Sequence, residues 1–362
     1  MSVVLPIKAN SSGSSAVRVM VVDDSVVVRT VIERILNADP AFQVVHKTNS
    51  AEHALSYLAG HQVDLVLLDI ELPGQSGLAA LPAILRANPA AKVVILSGNC
   101  DEGSEAAVEA LALGASDICA KPGSGSYGEY FPQMLIERLT RLAAGDAPLS
   151  AGKAVRVPVT RQKAKAPIAC LGIGASTGGI HALSQLFAGM SAPLGVPVLL
   201  TQHLPASFTS YFTQQLARMT PLRVKTAEQG EIVAPDIIYV APGDANLQVR
   251  RGLHGRVMVG LNRERTSAGN LPGVDPMFAS MADVYGAGAA GVVLTGMGRD
   301  GTVGARDIVA AGGWIVAQNE ASSVVWGMPG SVASAGLSCA LLEPRAIMDF
   351  VARRGKSKGL TH

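Results

Sequence analysis

Ser176 lies in the run Ile168-Ala-Cys-Leu-Gly-Ile-Gly-Ala-Ser-Thr-Gly-Gly179, an apolar segment that ends in glycines. That outline predicts a strand, a tight turn and a helix N-terminus. Such a turn lifts the serine out of a sheet and aims backbone N–H groups at whatever binds beside it. The hydroxyl is a candidate nucleophile for acyl transfer. The spacing Gly172-x-Gly174-x-x-x-Gly178 allows two other readings, a dinucleotide-binding loop or an ordinary strand-to-helix turn. A second apolar run, Val196 to Thr201, ends in Gln202-His203. A dinucleotide fold would carry an acid about there to hold a ribose, so the histidine points instead to a general base for Ser176. His181 is an alternative base by nearness in sequence, although a position on a helix start would turn it elsewhere. A third strand, Gly291 to Leu294, opens into Thr295-Gly-Met-Gly-Arg-Asp-Gly301, and Asp300 is the acid expected behind His203. A plain Gly-Asp turn is the other reading of that segment. Backbone N–H groups near Thr177 and Met297 are the candidate oxyanion donors. The order Ser…His…Asp differs from the Ser…Asp…His of α/β-hydrolases, but a triad is recognised by its roles.

The first half holds a different constellation. Asp23 and Asp24 follow the apolar run Val17 to Val22, and Asp69 follows Val63 to Leu68. Ser97 follows Val93 to Leu96, and Lys121 follows Ile118 to Ala120. Acidic residues at strand ends are common turn formers, but these five together are a specific pattern. Three carboxylates gathered at one sheet edge repel unless a hard cation sits among them, and Mg²⁺ suits oxygen ligands. A lysine and a hydroxyl beside them suit a phosphoryl group.

These residues need strands that end side by side. Helical spacing is expected over Val26–Asn37, Ala51–Leu58, Glu105–Leu113 and Pro132–Leu142, with Leu72-Pro73-Gly74 as a turn. Five strand–helix repeats imply a parallel sheet covered on both faces, with ligands at the strands' carboxyl ends. The second half repeats the theme. Helices are expected over Ile180–Phe187, Leu204–Leu216, Met277–Tyr285 and Val303–Ala311, and strands over Ile237–Ala241 and Trp314–Ala317. Leu247–Arg250 and Val257–Leu261 read as a hairpin, and Val325 to Pro329 as a wall of the cleft.

The fold class is therefore α/β, as two doubly wound parallel-sheet domains. The expected division is a loose tail over 1–16, a first domain over 17–142, a basic linker over 143–166, a second domain over 167–350 and a basic tail over 351–362. At 362 residues, with 48% apolar and 16% charged residues, each domain can bury its own core. A net charge of +2 argues against nucleic-acid binding. The stretch 166–217 lacks charged residues, but Gly, Pro, Ser and Gln interrupt it too often for a spanning helix. No signal peptide is evident, and Cys100, Cys119, Cys170 and Cys339 have no ligand-type spacing, so a cytoplasmic protein with reduced thiols is expected.

The first domain resembles the receiver domain of two-component response regulators, which is flavodoxin-like. The resemblance implies that Asp69 is phosphorylated, that Asp23, Asp24 and Asp69 hold Mg²⁺, and that Ser97 and Lys121 contact the phosphoryl oxygens. Receivers often carry an aromatic residue where Ile118 stands, and Met-Pro where Leu72-Pro73 stands. The second domain resembles the catalytic domain of the chemotaxis protein-glutamate methylesterases, the CheB family, with a Rossmann-like three-layer fold. The matching stretches are Gly174-Ala-Ser-Thr-Gly-Gly179, Gln202-His-Leu-Pro205, Tyr239-Val-Ala-Pro-Gly243, Val274-Asp275, Leu294 to Gly301 and Gly327-Met-Pro329. Ile180 departs from the proline common after the paired glycines.

That resemblance implies hydrolysis of glutamate γ-methyl esters on methyl-accepting chemotaxis receptors, with release of methanol, and deamidation of specific receptor glutamines. It implies a histidine kinase as phosphodonor and a receiver that covers the cleft until phosphorylated. It implies no cofactor for the ester chemistry. A monomer without membrane insertion is expected. The alternatives are a regulator that works mainly by binding a partner, and an esterase for other substrates.

Overall fold

The computed structural model describes residues 16–98, 104–122, 131–144, 166–190, 193–266 and 269–355. Cys100, the tail over 1–15, most of the linker and the chain beyond 355 lie outside these residues.

The first half runs β1 (Val17–Val22), α1 (Val26–Asn37), β2 (Phe42–Thr48), α2 (Ala51–Leu58), β3 (Leu65–Asp69), α3 (Gly77–Ala87), β4 (Lys92–Ser97), α4 (Ser104–Leu113), β5 (Asp117–Ala120) and α5 (Phe131–Ala144). Its sheet has the order β2-β1-β3-β4-β5 and every pairing is parallel. Ser25, Ser50 and Ser76 cap α1, α2 and α3 by accepting a backbone N–H in the first turn. The helix α3 is absent from the sequence reading. Pro82 interrupts its pattern, yet the Ser76 cap and the buried Ala80, Leu81 and Ile84 hold it on the sheet.

The second half runs β6 (Cys170–Ala175), α6 (Gly179–Ala188), β7 (Val198–Gln202), α7 (Ala206–Met219), β8 (Arg223–Thr226), β9 (Ile237–Val240), β10 (Asn246–Arg251), β11 (Val257–Asn262), α8 (Val274–Tyr285), β12 (Ala289–Val293), α9 (Thr302–Ala310), β13 (Trp314–Gln318), α10 (Gly327–Ser334), β14 (Ser338–Leu342) and α11 (Pro344–Gly355). Seven strands form a parallel sheet in the order β14-β13-β12-β6-β7-β9-β8, and β10 pairs with β11 as an antiparallel hairpin. One face of this sheet packs on α6, α7 and α11, and the other on α8, α9 and the hairpin. The helix α11 carries regular structure to Gly355, beyond the residue where the sequence suggests a basic tail.

The sheet order sets β12, β6 and β7 side by side, so the chain reverses direction of growth at β6. Ligands in such sheets collect at that switch point. The glycines of β6 serve its packing. A Cβ on Gly172 would lie 2.6 Å from Met281 Sδ, and one on Gly174 would lie 2.5 Å from Val274 Cγ1. They let α8 lie close against the strand, which is a different use from admitting a pyrophosphate. Gly174→Val is expected to force α8 off β6 and to lower stability by about 1–3 kcal/mol. A fall in Tm by calorimetry checks this, and an unchanged Tm would refute the packing role.

The two halves meet along α4, which packs on α6 and α7. The apolar cluster of α2, α3 and α4 is continuous with Ile180 and Leu183 of α6. On the other face, the cluster of α1 and α5 includes Val325 and is flanked by Met297. Glu105 pairs with Arg218 at 3.6 Å, and Ser116 O accepts the Gly178 N–H at 3.1 Å.

Candidate active site

Ser176 follows the last residue of β6 and is half-buried. Its N–H donates to Thr295 O at 3.1 Å, and its carbonyl accepts Gln202 Nε2 at 2.8 Å and the Gly179 N–H at 2.8 Å. Gly178, at φ +74°, completes the turn, a conformation that glycine adopts without a Cβ penalty. The hydroxyl forms no hydrogen bond among the described residues and opens into a cleft of about 440 Å³.

His203 follows β7, and its Nε2 lies 2.8 Å from Asp300 Oδ2. Nδ1 is thereby the ring nitrogen left for chemistry in the cleft. Asp300 sits in the loop after β12, is 1% exposed and is held from all sides. Its Oδ2 also accepts the Val274 N–H at 2.8 Å, and its Oδ1 accepts the N–H groups of Asp275 at 3.1 Å and Gly301 at 2.9 Å. These donors open α8 and α9, so two helix N-termini face one carboxylate. Burial pushes the Asp300 carboxyl up, but the His203 hydrogen bond and charge and the backbone donors outweigh it, and the pKa falls below the usual carboxylate value. Beside it, burial raises Asp275 to about 6, with the Asp300 charge adding to the rise. Asp275 Oδ1 accepts the Gly304 N–H at 2.8 Å and ties α8 to α9.

Thr177 and Met297 line the same cleft, and neither N–H donates to an acceptor among the described residues. Thr295 Oγ1 donates to Thr177 O at 3.0 Å and joins the two loops that carry them. His181 points away from Ser176. Its Nδ1 lies 3.1 Å from Ala112 O of α4, and its Nε2 is 2.8 Å from Gln185, so it belongs to the junction between the halves.

In the first half Asp23, Asp24 and Asp69 offer carboxylate oxygens within 4.8 Å of one another. Asp23 and Asp69 are buried and Asp24 is exposed. Lys121 Nζ lies 2.7 Å from Asp69 Oδ2 and 3.1 Å from Asp23 Oδ2. Burial raises the Asp69 pKa, an effect that the Lys121 hydrogen bond only partly offsets. Three carboxylates against one ammonium leave a surplus of negative charge, and the all-oxygen donor set fits Mg²⁺. Ser97 ends β4 beside this cluster, and its carbonyl accepts the Lys121 N–H at 2.8 Å. The Ile118 carbonyl accepts a hydrogen bond from Arg138.

The far wall of the cleft is supplied by the first half. Met134, Glu137, Arg138 and Arg141 of α5 and Asp117 of β5 line it together with Ser176 and His203. Arg141 Nη1 lies 3.2 Å from Met297 Sδ.

Residues 171–351 match the family model described as CheB methylesterase, and residues 19–126 match the response regulator receiver domain. The protein-glutamate methylesterase/protein-glutamine glutaminase 2 of Caulobacter vibrioides is 40% identical, over 94% of this chain and 99% of the relative. This chain belongs to the CheB methylesterase family. A second relative, protein-glutamate methylesterase/protein-glutamine glutaminase 1 of Paramagnetospirillum magneticum, is 35% identical over 97% of this chain and all of its own length. Among solved structures, the CheB methylesterase catalytic domain of Thermotoga maritima is 33% identical over 52% of this chain and 99% of that chain, with a TM-score of 0.49. The family matches and the two relatives make the chain a receiver-bearing hydrolase of two-component chemotaxis signalling. No helix among the described residues is long and apolar enough to cross a membrane.

Sequence reasoning passed over Gln202 as a functional residue, although it directly precedes His203 at a strand end. The resemblance implies a receiver over the cleft, but the sequence does not single out the α5 residues that line it, because their neighbours there come from the other half of the chain.

Proposed function

We propose that the chain is a phosphorylation-controlled chemoreceptor demethylase of the cytoplasm. It hydrolyses glutamate γ-methyl esters and deamidates specific glutamines on methyl-accepting receptors. The observation that carries this reading is the His203–Asp300 pair at 2.8 Å, facing the cleft that Ser176 opens into. In our division, residues 17–142 form the receiver, 143–166 the linker and 167–350 the catalytic domain.

Ser176 Oγ attacks the γ-carbonyl of the substrate side chain, and His203 Nδ1 takes its proton. Asp300 holds the proton on Nε2 and stabilises the imidazolium. The N–H groups of Thr177 and Met297 receive the developing oxyanion, each donor contributing on the order of 3 kcal/mol. The protonated His203 then delivers its proton to methanol or ammonia as it leaves. A water, activated by the same nitrogen, attacks the acyl-enzyme and releases glutamate.

Asp69 is the phosphate acceptor, with a chemotaxis histidine kinase as donor. Asp23, Asp24 and Asp69 would hold Mg²⁺, which neutralises charge on the transferring phosphoryl group. Lys121 and Ser97 orient the phosphoryl oxygens. Phosphorylation draws Lys121 onto a new anion and alters how β5 and α5 sit on the cleft.

The test is methanol release from methylated receptor membranes with and without a small phosphodonor. Release is expected to rise with phosphodonor in the parent protein, and Asp69→Ala is expected to keep a basal rate that ignores it. Continued stimulation of Asp69→Ala would overturn the control scheme. No release from any methylated receptor would overturn the demethylase reading.

A further inference from the structure

We propose that Arg299 recognises a carboxylate that flanks the reacting side chain, so that the site selects glutamyl esters set among acidic neighbours. The inference rests on the methylesterase reading above.

Asp300 and Arg299 are adjacent in a short loop, and the four hydrogen bonds that hold Asp300 inward leave Arg299 outward. Gly298 at φ +84° and Gly301 at φ +86° set the two ends of this turn, and the Thr302 N–H donates to Arg299 O at 3.2 Å. A Cβ on Gly298 would meet nothing within 4 Å, so the backbone beside Arg299 is not crowded on that side. Arg299 is exposed, lines the cleft two residues after Met297, and has no hydrogen-bonded or ionic partner for its side chain among the described residues.

The remainder of the wall explains why that charge is informative. From the second half, the described lining contains only His203 and Arg299 as ionisable residues. The acids that line the cleft, Asp117 and Glu137, belong to the first half. Asp117 is paired with Arg138 at 3.2 Å, and Glu137 with Arg141. An ester or amide carbonyl is neutral and gives a guanidinium no charge to meet. A planar fork of donors on the rim fits a carboxylate beside the ester, in the bidentate geometry that lysine cannot offer.

The experiment uses the full-length protein with phosphodonor and three helical peptides. Each carries one glutamate γ-methyl ester, flanked one turn away by Glu, Gln or Lys. Methanol release gives kcat and KM for each. The parent is expected to favour the Glu-flanked over the Gln-flanked peptide by about fivefold in kcat/KM, chiefly through KM. Arg299→Gln is expected to bring that ratio close to one, and Arg299→Glu to shift preference to the Lys-flanked peptide. Raising the salt should compress the parent's ratio without any substitution. A ratio unchanged in Arg299→Gln, or a parent that does not distinguish the peptides, overturns the inference and leaves the esterase intact. A parent that cleaves none of the three, while Arg299→Gln does likewise, removes the esterase reading and this inference with it.

Discussion

Ser176→Ala is expected to lower kcat for methanol release by about a millionfold. The loss follows from the site's division of labour. In the proposed mechanism His203 and Asp300 serve to move one proton, and without the serine hydroxyl there is no proton to take and no acyl-enzyme to form. What is expected to survive is binding plus the proposed Thr177 and Met297 donors, which would still stabilise direct attack by water, on the order of a thousandfold over bulk solution. Stability should be almost untouched. The hydroxyl has no hydrogen-bond partner among the described residues, and the turn is held by backbone and Gln202 contacts that alanine preserves. A variant that folds with the parent's Tm and retains a tenth of its activity would remove Ser176 as the nucleophile.

Asp300→Asn is expected to cost about 10⁴ in kcat, with a stability loss that Ser176→Ala does not share. The carboxylate accepts four hydrogen bonds, from His203 Nε2 and from the backbone of Val274, Asp275 and Gly301. An amide of the same shape has one accepting oxygen. Whichever way it turns, its NH₂ faces donors of the protein. If the oxygen stays with His203, the donors of Asp275 and Gly301 are stranded. If it stays with those, the NH₂ drives the imidazole to the opposite tautomer, with the proton on Nδ1 where Ser176 needs a base. Each buried donor left unpaired costs about 1–3 kcal/mol. Paired measurement of kcat and Tm separates the two effects. Full activity in Asp300→Asn would show that the imidazole needs no acid behind it.

Much of this arrangement is legible in the sequence. Apolar runs ending in Asp69, Ser176 or His203 announce buried parallel strands whose ends carry polar groups. Polar groups at those ends have few places to go but a common edge. The strand order is a different matter. Nothing local in β12 says that it lies against β6, because that adjacency is made by long-range packing of α8. The helix α3 is hidden by Pro82, and β14 and α11 by short, mixed segments whose burial comes from Trp314 and the neighbouring strands. Gly172 and Gly174 invite a cofactor reading from spacing alone, and only the position of Met281, Phe278 and Val274 shows what fills the space above them. The choice of Nε2 for Asp300, and the side to which His181 turns, depend on side-chain geometry that no spacing encodes.

The α5 wall of the cleft has a thermodynamic consequence. Arg141 touches Met297, and Glu137 and Arg138 border the space in front of Ser176. On the proposed function, a receptor segment bound there would compete with α5 for the same volume. Two events that favour the same displaced position of α5 must favour each other by equal free energies, whichever comes first. If phosphorylation loosens α5 and thereby improves receptor binding tenfold, bound receptor must shift the phosphorylation equilibrium of Asp69 by the same tenfold. The methylated receptor would then be both the substrate of this protein and a ligand that draws it into its phosphorylated state.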